Sequence, residues 1–284
     1  MSIPDPTKRQ PSQKMQFTPE PVLYGFPSKE ELSEGLATFI EKAQEEAISK
    51  RGNFRVAISG GSLPATLGKL AQDGRQGLLW DKWEVFLADE RLVPLDHEDS
   101  NYRLIKENLL SHAAIPDSQV HPINTDLLDD PEELADDYEK QLMAVFAGKN
   151  SVAFPKFDLV LLGTGPDGHT CSLFPGHPLL NEDLRWIASL EDSPKPPPKR
   201  ITLTYPVLNH SHRCCFVLTG EGKRDILSKV FDDKDGVGKT LPCAKVKPIN
   251  PGRVYWFTDN DASGHLKHAK DEFNLGDFEL EKKV

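Results

Sequence analysis

The residues of this chain best equipped for chemistry lie between positions 158 and 177, DLVLLGTGPDGHTCSLFPGH. Asp167 and His169 stand two positions apart in a glycine-rich loop that follows an apolar run. Histidine, with an ordinary pKa of about 6.5, takes up and returns protons near neutrality. A carboxylate two residues away can fix its tautomer. Asp158 to Leu162 has the branched aliphatic content of a strand covered on both faces, and Gly163, Gly165 and Gly168 permit backbone turns that bulkier residues resist. The segment therefore delivers an acid and a base to the end of a buried strand. The alternative is a plain glycine-rich connection with a surface histidine.

Four other places carry unusual chemistry. Gly60, Gly61 and Ser62 stand between a strand and a helix amino terminus, where free N–H groups and a hydroxyl suit a phosphate. The spacing fits neither the Walker pattern nor GxGxxG, and a simple tight turn would look the same. Asp89, Glu90 and Arg91 follow a second apolar strand directly. Arg91 can neutralise those carboxylates while offering its fork to a substrate oxygen, or simply pair with them at the surface. Arg200 precedes the strand ITLT, and Lys223 follows the strand FVLT. Each alone reads as a solvated charge, but with the glycine loop they form a phosphate cradle.

These groups need elements to hold them, and helices and strands alternate along the chain in the manner of parallel crossover units. Ser28 and Glu31 make a capping box for a helix with Leu32, Leu36, Phe39, Ile40, Ala43 and Ala47 on one face. Strands are expected at 54–59, 83–88, 158–162, 185–190, 201–204, 214–219 and 254–258. Helices are expected after Pro64, from Ser100 and Asn101, and after Asp130 and Pro131. The proline-rich residues 194–199 read as a connecting loop. In an open parallel sheet, ligands collect at the carboxyl ends of the strands, so the four unusual segments should share one edge. The division expected is a flexible tail over 1–15, a single α/β domain over 16–270, and a polar tail over 271–284.

The chain has 284 residues, of which 38% are apolar, enough for one large α/β domain. No run approaches the roughly 18 to 20 apolar residues of a membrane span. Its net charge of −10 opposes general attraction to nucleic acid or anionic membranes, so an anionic substrate needs a local basic cluster. Cys171, Cys214, Cys215 and Cys243 lack CxxC spacing and read as reduced core residues of a cytoplasmic protein. The first fifteen residues lack the apolar stretch of a secretory signal.

Five separated motifs, SGGS, ADER with VPLDHEDSNY, GTGPDGHTCSLFPGH, PPPKRITLT and TGEGK, resemble in this order those of the 6-phosphogluconolactonases, relatives of the glucosamine-6-phosphate deaminases. The likeness runs from about residue 20 to about residue 260. It implies an α/β fold with a Rossmann-like open, mostly parallel sheet flanked by helices, of the NagB/RpiA/CoA transferase-like kind. It also implies hydrolysis of 6-phospho-D-glucono-1,5-lactone in the oxidative pentose phosphate pathway, with no metal or organic cofactor. A monomer or weak homodimer acting on a small sugar phosphate is expected, with neither nucleic acid nor membrane as partner. The deaminase branch is expected to carry a glutamate five residues after the motif histidine, where this chain has Phe174.

On that resemblance, His169 takes a proton from the attacking water and returns it to the departing ring oxygen, Asp167 orients it, and Arg91 with loop N–H groups stabilises the growing charge. Gly60, Gly61, Ser62, Asp89, Arg200 and Lys223 hold the substrate and its phosphate. Four alternatives remain: Cys171, read as entering a helix after the loop, as an acyl nucleophile; a metal on His169 and His177; an amino-sugar-phosphate deaminase or isomerase; and a non-catalytic sugar-phosphate sensor.

Overall fold

Seven parallel strands form the centre of the computed structural model, which describes residues 20–72, 75, 77–148, 152–249 and 251–276. In chain order the strands are β1 (Val22–Phe26), β2 (Phe54–Ile58), β3 (Trp83–Leu87), β4 (Asp89–Arg91), β5 (Val120–His121), β6 (Leu159–Leu162), β7 (Ile187–Leu190), β8 (Arg200–Leu203), β9 (Arg213–Leu218) and β10 (Arg253–Asp259). The large sheet runs β1-β10-β9-β6-β2-β3-β5, and β4, β8 and β7 make a small second sheet. The expected α/β architecture with an open, mostly parallel sheet is therefore what the chain adopts. β6 and β9 are buried along their whole length, which matches the continuous apolar sequence of β6 and of Cys214–Leu218 in β9; the first residue of β9, Arg213, is buried with its guanidinium paired to Glu46.

Helix α1 (Lys29–Arg51) starts where the sequence places it. Ser28 Oγ accepts the Glu31 N–H at 3.2 Å, a cap worth about 1 kcal/mol. Gly52 closes the helix at φ 81°, a left-handed conformation that glycine adopts without a Cβ penalty. Leu32, Leu36, Phe39, Ile40, Ala43 and Ala47 are all buried, and α1 packs on β1, β2 and β10. Helix α2 (Leu63–Gln72) follows the glycine turn, α3 (Asn101–Ile105) is capped by Ser100, and α4 (Pro131–Phe146) is capped by Asp130. Three short helices complete the set: α5 (Tyr205–His210), α6 (Arg224–Leu227) and α7 (Asn260–Ser263).

The structure departs from the sequence expectations in four places. The strands expected at 185–190 and 201–204 are antiparallel, pairing Ile187 with Leu203 and Leu190 with Arg200. Residues 191–199 between them are too few for the crossover of about a dozen that a parallel pair needs. Strands β1, β4 and β5 were not anticipated; β4 consists of the charged run Asp89–Arg91, which pairs with β8. No helix follows the histidine loop: Cys171 sits in a turn at φ 49°. The boundary expected at 270 falls inside packed chain, because the Asp271 N–H donates to the Leu23 carbonyl at 2.7 Å and the Phe273 ring lies 5.2 Å from that of Tyr24. The expected tail over 1–15, and residues 277–284 of the other, lie outside the described residues. No described helix is long and apolar enough to cross a membrane.

Candidate active site

Strands β9, β6, β2 and β3 are consecutive in the sheet, and β2 has the next strand in sequence on one side and β6 on the other. Such a switch point opens a crevice at the carboxyl ends of the strands. The segments that follow these four strands line one cleft: Gly60, Gly61 and Ser62 after β2, Asp89 and Arg91 of β4 after β3, Gly163 to Gly165 and His169 after β6, and Lys223 after β9. Arg200, the first residue of β8, completes the lining. Of the expected site residues only Asp167 is outside the lining, and it touches His169.

The histidine loop is braced by its own hydrogen bonds. The Gly165 N–H donates to the His169 carbonyl at 3.0 Å, Thr164 Oγ1 donates to the same oxygen at 2.9 Å, and Thr170 Oγ1 donates to the Gly163 carbonyl at 2.9 Å. His169 Nδ1 lies 2.5 Å from Asp167 Oδ1. An ionised carboxylate only accepts, so Nδ1 carries the hydrogen and Nε2 keeps its lone pair. Lys195 Nζ is 3.3 Å from the same Asp167 oxygen and 3.2 Å from His169 Nδ1. Burial holds the imidazole below its ordinary pKa; the bond to Asp167 and its charge offset part of that, and Lys195 adds to the lowering. Burial would raise Asp167, but the bond and charge of His169, joined by Lys195, outweigh it and keep the carboxyl below its usual range. At neutral pH the pair is a carboxylate and a neutral base.

Another part of the lining is built around Asp89, which is buried. Ser172 Oγ donates to its Oδ2 at 2.8 Å, and Asn101 Nδ2 donates to its backbone carbonyl at 2.8 Å. Asn101 also explains Gly60, since a Cβ there would lie 1.8 Å from Asn101 Oδ1. Glu90 turns inward and accepts the N–H groups of Arg91, Asn101 and Tyr102 and the hydroxyl of Ser100. Burial pushes its carboxyl up to about 7 against the pull of those backbone donors. Arg91 makes no ion pair with Asp89 or Glu90: its Nη1 donates to the Asp99 carbonyl, and its Nε has no partner among the described residues.

The two remaining cations are anchored differently. Lys223 Nζ donates to the Thr164 carbonyl at 2.7 Å, which leaves two of its three hydrogens for the cleft. Arg200 is only 3% exposed and directs most of its donors to the carbonyls of Lys195, Pro196 and Pro197. Its Nη1 reaches Ser172 Oγ at 3.5 Å. The sequence reading missed Lys195, Asn101, Ser172 and Thr164 as neighbours of the site. Three of these lie inside motifs already singled out; Lys195 had no signal beyond a basic residue among prolines.

The Cys171 thiol lines the cleft, but burial, helped by the nearby Asp89, pushes its pKa well up, so it is not a thiolate. His177 is engaged elsewhere, its Nδ1 accepting the Leu179 N–H and its Nε2 2.9 Å from Asp192. Among the described residues no three His, Cys, Asp or Glu side chains are grouped to hold a metal.

A family model described as glucosamine-6-phosphate isomerases/6-phosphogluconolactonase matches residues 27–256. The chain belongs to that family. It is 46% identical over 253 residues to a probable 6-phosphogluconolactonase of Schizosaccharomyces pombe, covering 87% of this chain and 96% of the yeast protein. It is 44% identical over 244 residues to the 6-phosphogluconolactonase of Homo sapiens, covering 84% of this chain and 91% of the human one. The solved 6-phosphogluconolactonase of Trypanosoma brucei superposes with a TM-score of 0.74 at 28% identity, over 87% of this chain and 99% of that structure.

Proposed function

We propose that this chain hydrolyses 6-phospho-D-glucono-1,5-lactone to 6-phospho-D-gluconate, in the oxidative branch of the pentose phosphate pathway. The observation that carries the reading is the placement of His169, with Nδ1 tied to Asp167 and Nε2 left for a cleft whose walls hold three cations. His169 Nε2 removes a proton from water as the water oxygen bonds to the lactone carbonyl carbon. Negative charge passes to the carbonyl oxygen, near Arg91 and the loop N–H groups. The bond from that carbon to the ring oxygen then breaks, and the imidazolium returns its proton to the ring oxygen. General acid–base help of this kind is typically worth about 10²- to 10⁴-fold.

The phosphate is distant from the reacting carbon and is held by Gly60, Gly61, Ser62, Arg200 and Lys223, so that remote binding energy positions the carbonyl. Asp89 holds the sugar from the β4 side. Phe174 supports lactone hydrolysis over deamination, because a buried phenyl ring accepts no proton. The scheme needs no metal, no organic cofactor and only one chain, so a monomer or weak homodimer suffices. Four buried thiols without a disulfide suit the cytoplasm.

The test is a timed assay with freshly made lactone, coupled to oxidation of the product, against an enzyme-free blank. Wild type should exceed the blank, and His169→Ala should lose about 10²-fold or more of the enzymatic rate while keeping its fold. Ammonia release from glucosamine 6-phosphate would favour the deaminase, and binding without turnover would favour a sensor.

A further inference from the structure

Lys195 sits in the proline-rich segment between β7 and β8, close to the base of the site yet outside the lining of the cleft. Its Nζ is 3.3 Å from Asp167 Oδ1 and 3.2 Å from His169 Nδ1. Nδ1 already carries a hydrogen directed at Asp167, so the ammonium donates to the carboxylate. One oxygen, Oδ1, therefore accepts from both partners, which restricts rotation of the carboxylate and of the ring it holds.

The loop that carries Lys195 is itself held. Arg200 Nη2 donates to the carbonyls of Lys195 at 2.9 Å and Pro196 at 3.1 Å, and Nε donates to that of Pro197 at 3.0 Å. Ser193 Oγ donates to the Lys195 carbonyl and accepts the Lys195 N–H. The guanidinium lies over the Phe174 ring at 5.6 Å, and the His169 ring is tilted against that of Phe174, with centroids 4.8 Å apart. Arg200 thus has Nε and Nη2 committed to the loop and Nη1 at the cleft.

We propose that Lys195 is a positioning residue for the reaction, acting on His169 through Asp167, and that Arg200 delivers it from the phosphate-binding wall. The catalytic part of this rests on the lactonase reading above. The charged groups facing the imidazole are Asp167 and Lys195 in contact and Asp89 from β4, with Arg91, Arg200 and Lys223 also lining the cleft. Lys195 is the cation in contact with the ring. It disfavours the imidazolium at rest, which keeps Nε2 available to accept a proton. Asp167 compensates the charge once the imidazolium forms.

Two readouts test this in wild type, Lys195→Gln and Lys195→Arg. The first is an NMR titration of the His169 ring without substrate, with the resonance assigned by its loss in His169→Asn. The second is the pH profile of kcat/KM with the blank subtracted. In Lys195→Gln the ring should titrate at higher pH than in wild type, and the acid limb of kcat/KM should move the same way. On the acid side kcat should fall about tenfold, a part of what acid–base help supplies, with KM within about twofold. Lys195→Arg should restore both. Arg200→Lys, which cannot fork to three carbonyls, should move the ring titration in the same direction as Lys195→Gln.

An unchanged ring titration in Lys195→Gln overturns the proposal. A raised KM with unchanged kcat and unchanged profile also overturns it, marking Lys195 as a substrate ligand. An unchanged titration in Arg200→Lys overturns delivery by Arg200. Because the titration uses no substrate, it stands even if lactone turnover is absent, which separates failure of this coupling from failure of the lactonase reading.

Discussion

Gly165→Ala tests the geometry of the base without altering any charge. A Cβ at 165 would lie 2.1 Å from His169 Cε1, 2.3 Å from His169 Nδ1 and 2.7 Å from Asp167 Oδ1, where ordinary contact begins at 3.4 Å. The imidazole must therefore retreat by 3.4 − 2.1 = 1.3 Å, or the loop must open by as much. Gly165 is not among the glycines with positive φ, so the collision is with the dyad and not with the residue's own backbone. A misplacement of about 1 Å can cost about 10²-fold in rate, equivalent to about 2.7 kcal/mol of transition-state stabilisation. The loss should fall on kcat, because the groups assigned to the phosphate lie on the other loops. Initial rates on fresh lactone, over a range of concentrations and with the spontaneous reaction subtracted, separate kcat from KM. A kcat within twofold of wild type, in a protein with an unchanged melting transition, would refute the claim that the Asp167–His169 placement governs turnover.

Asp167→Asn removes the charge that raises His169, leaving burial and Lys195 to depress it, so the acid limb of kcat/KM should move to lower pH while kcat falls. The opposite shifts expected for Asp167→Asn and Lys195→Gln make the pair a sign test; movement in one direction for both would sink it. Cys171→Ala should retain turnover within about threefold, since a thiol whose pKa burial pushes up is no nucleophile; a loss near that of His169→Ala would restore the acyl-thiol route. Glu90 has its folded pKa raised from 4.5 to about 7 by burial, so its contribution to stability is full below 4.5 and is lost as pH rises through about 7. A rise of that size corresponds to about 3 kcal/mol. Urea unfolding midpoints between pH 5 and 8 should therefore vary less in Glu90→Gln than in wild type, and identical profiles would contradict this.

Most of the large sheet was legible because parallel strands covered on both faces announce themselves as apolar runs, as in Leu159–Leu162 and in Cys214–Leu218 within β9. Helix α1 was legible from its cap and its single apolar face. What escaped was pairing set by distant chain. Asp89–Arg91 reads as three charges, and becomes strand β4 only because β8 lies beside it. The same distinction separates the legible part of the site from the rest. Gly60, Asp89, His169 and Lys223 are each locally odd, a glycine turn or a titratable group in the segment that leaves an apolar strand, and the sheet order of β9, β6, β2 and β3 gathers these oddities at one edge.

Lys195 is not locally odd. It reaches His169 across 26 residues, on a loop whose three successive carbonyls are held by Arg200. Proton-transfer groups are conspicuous because their chemistry resides in the side chain itself. The charge that tunes them acts through distance alone, and any lysine brought within about 4 Å would serve. Such a residue is found by tracing the contacts of the base in three dimensions, and its tie to Arg200 makes the phosphate wall and the base parts of one hydrogen-bonded unit.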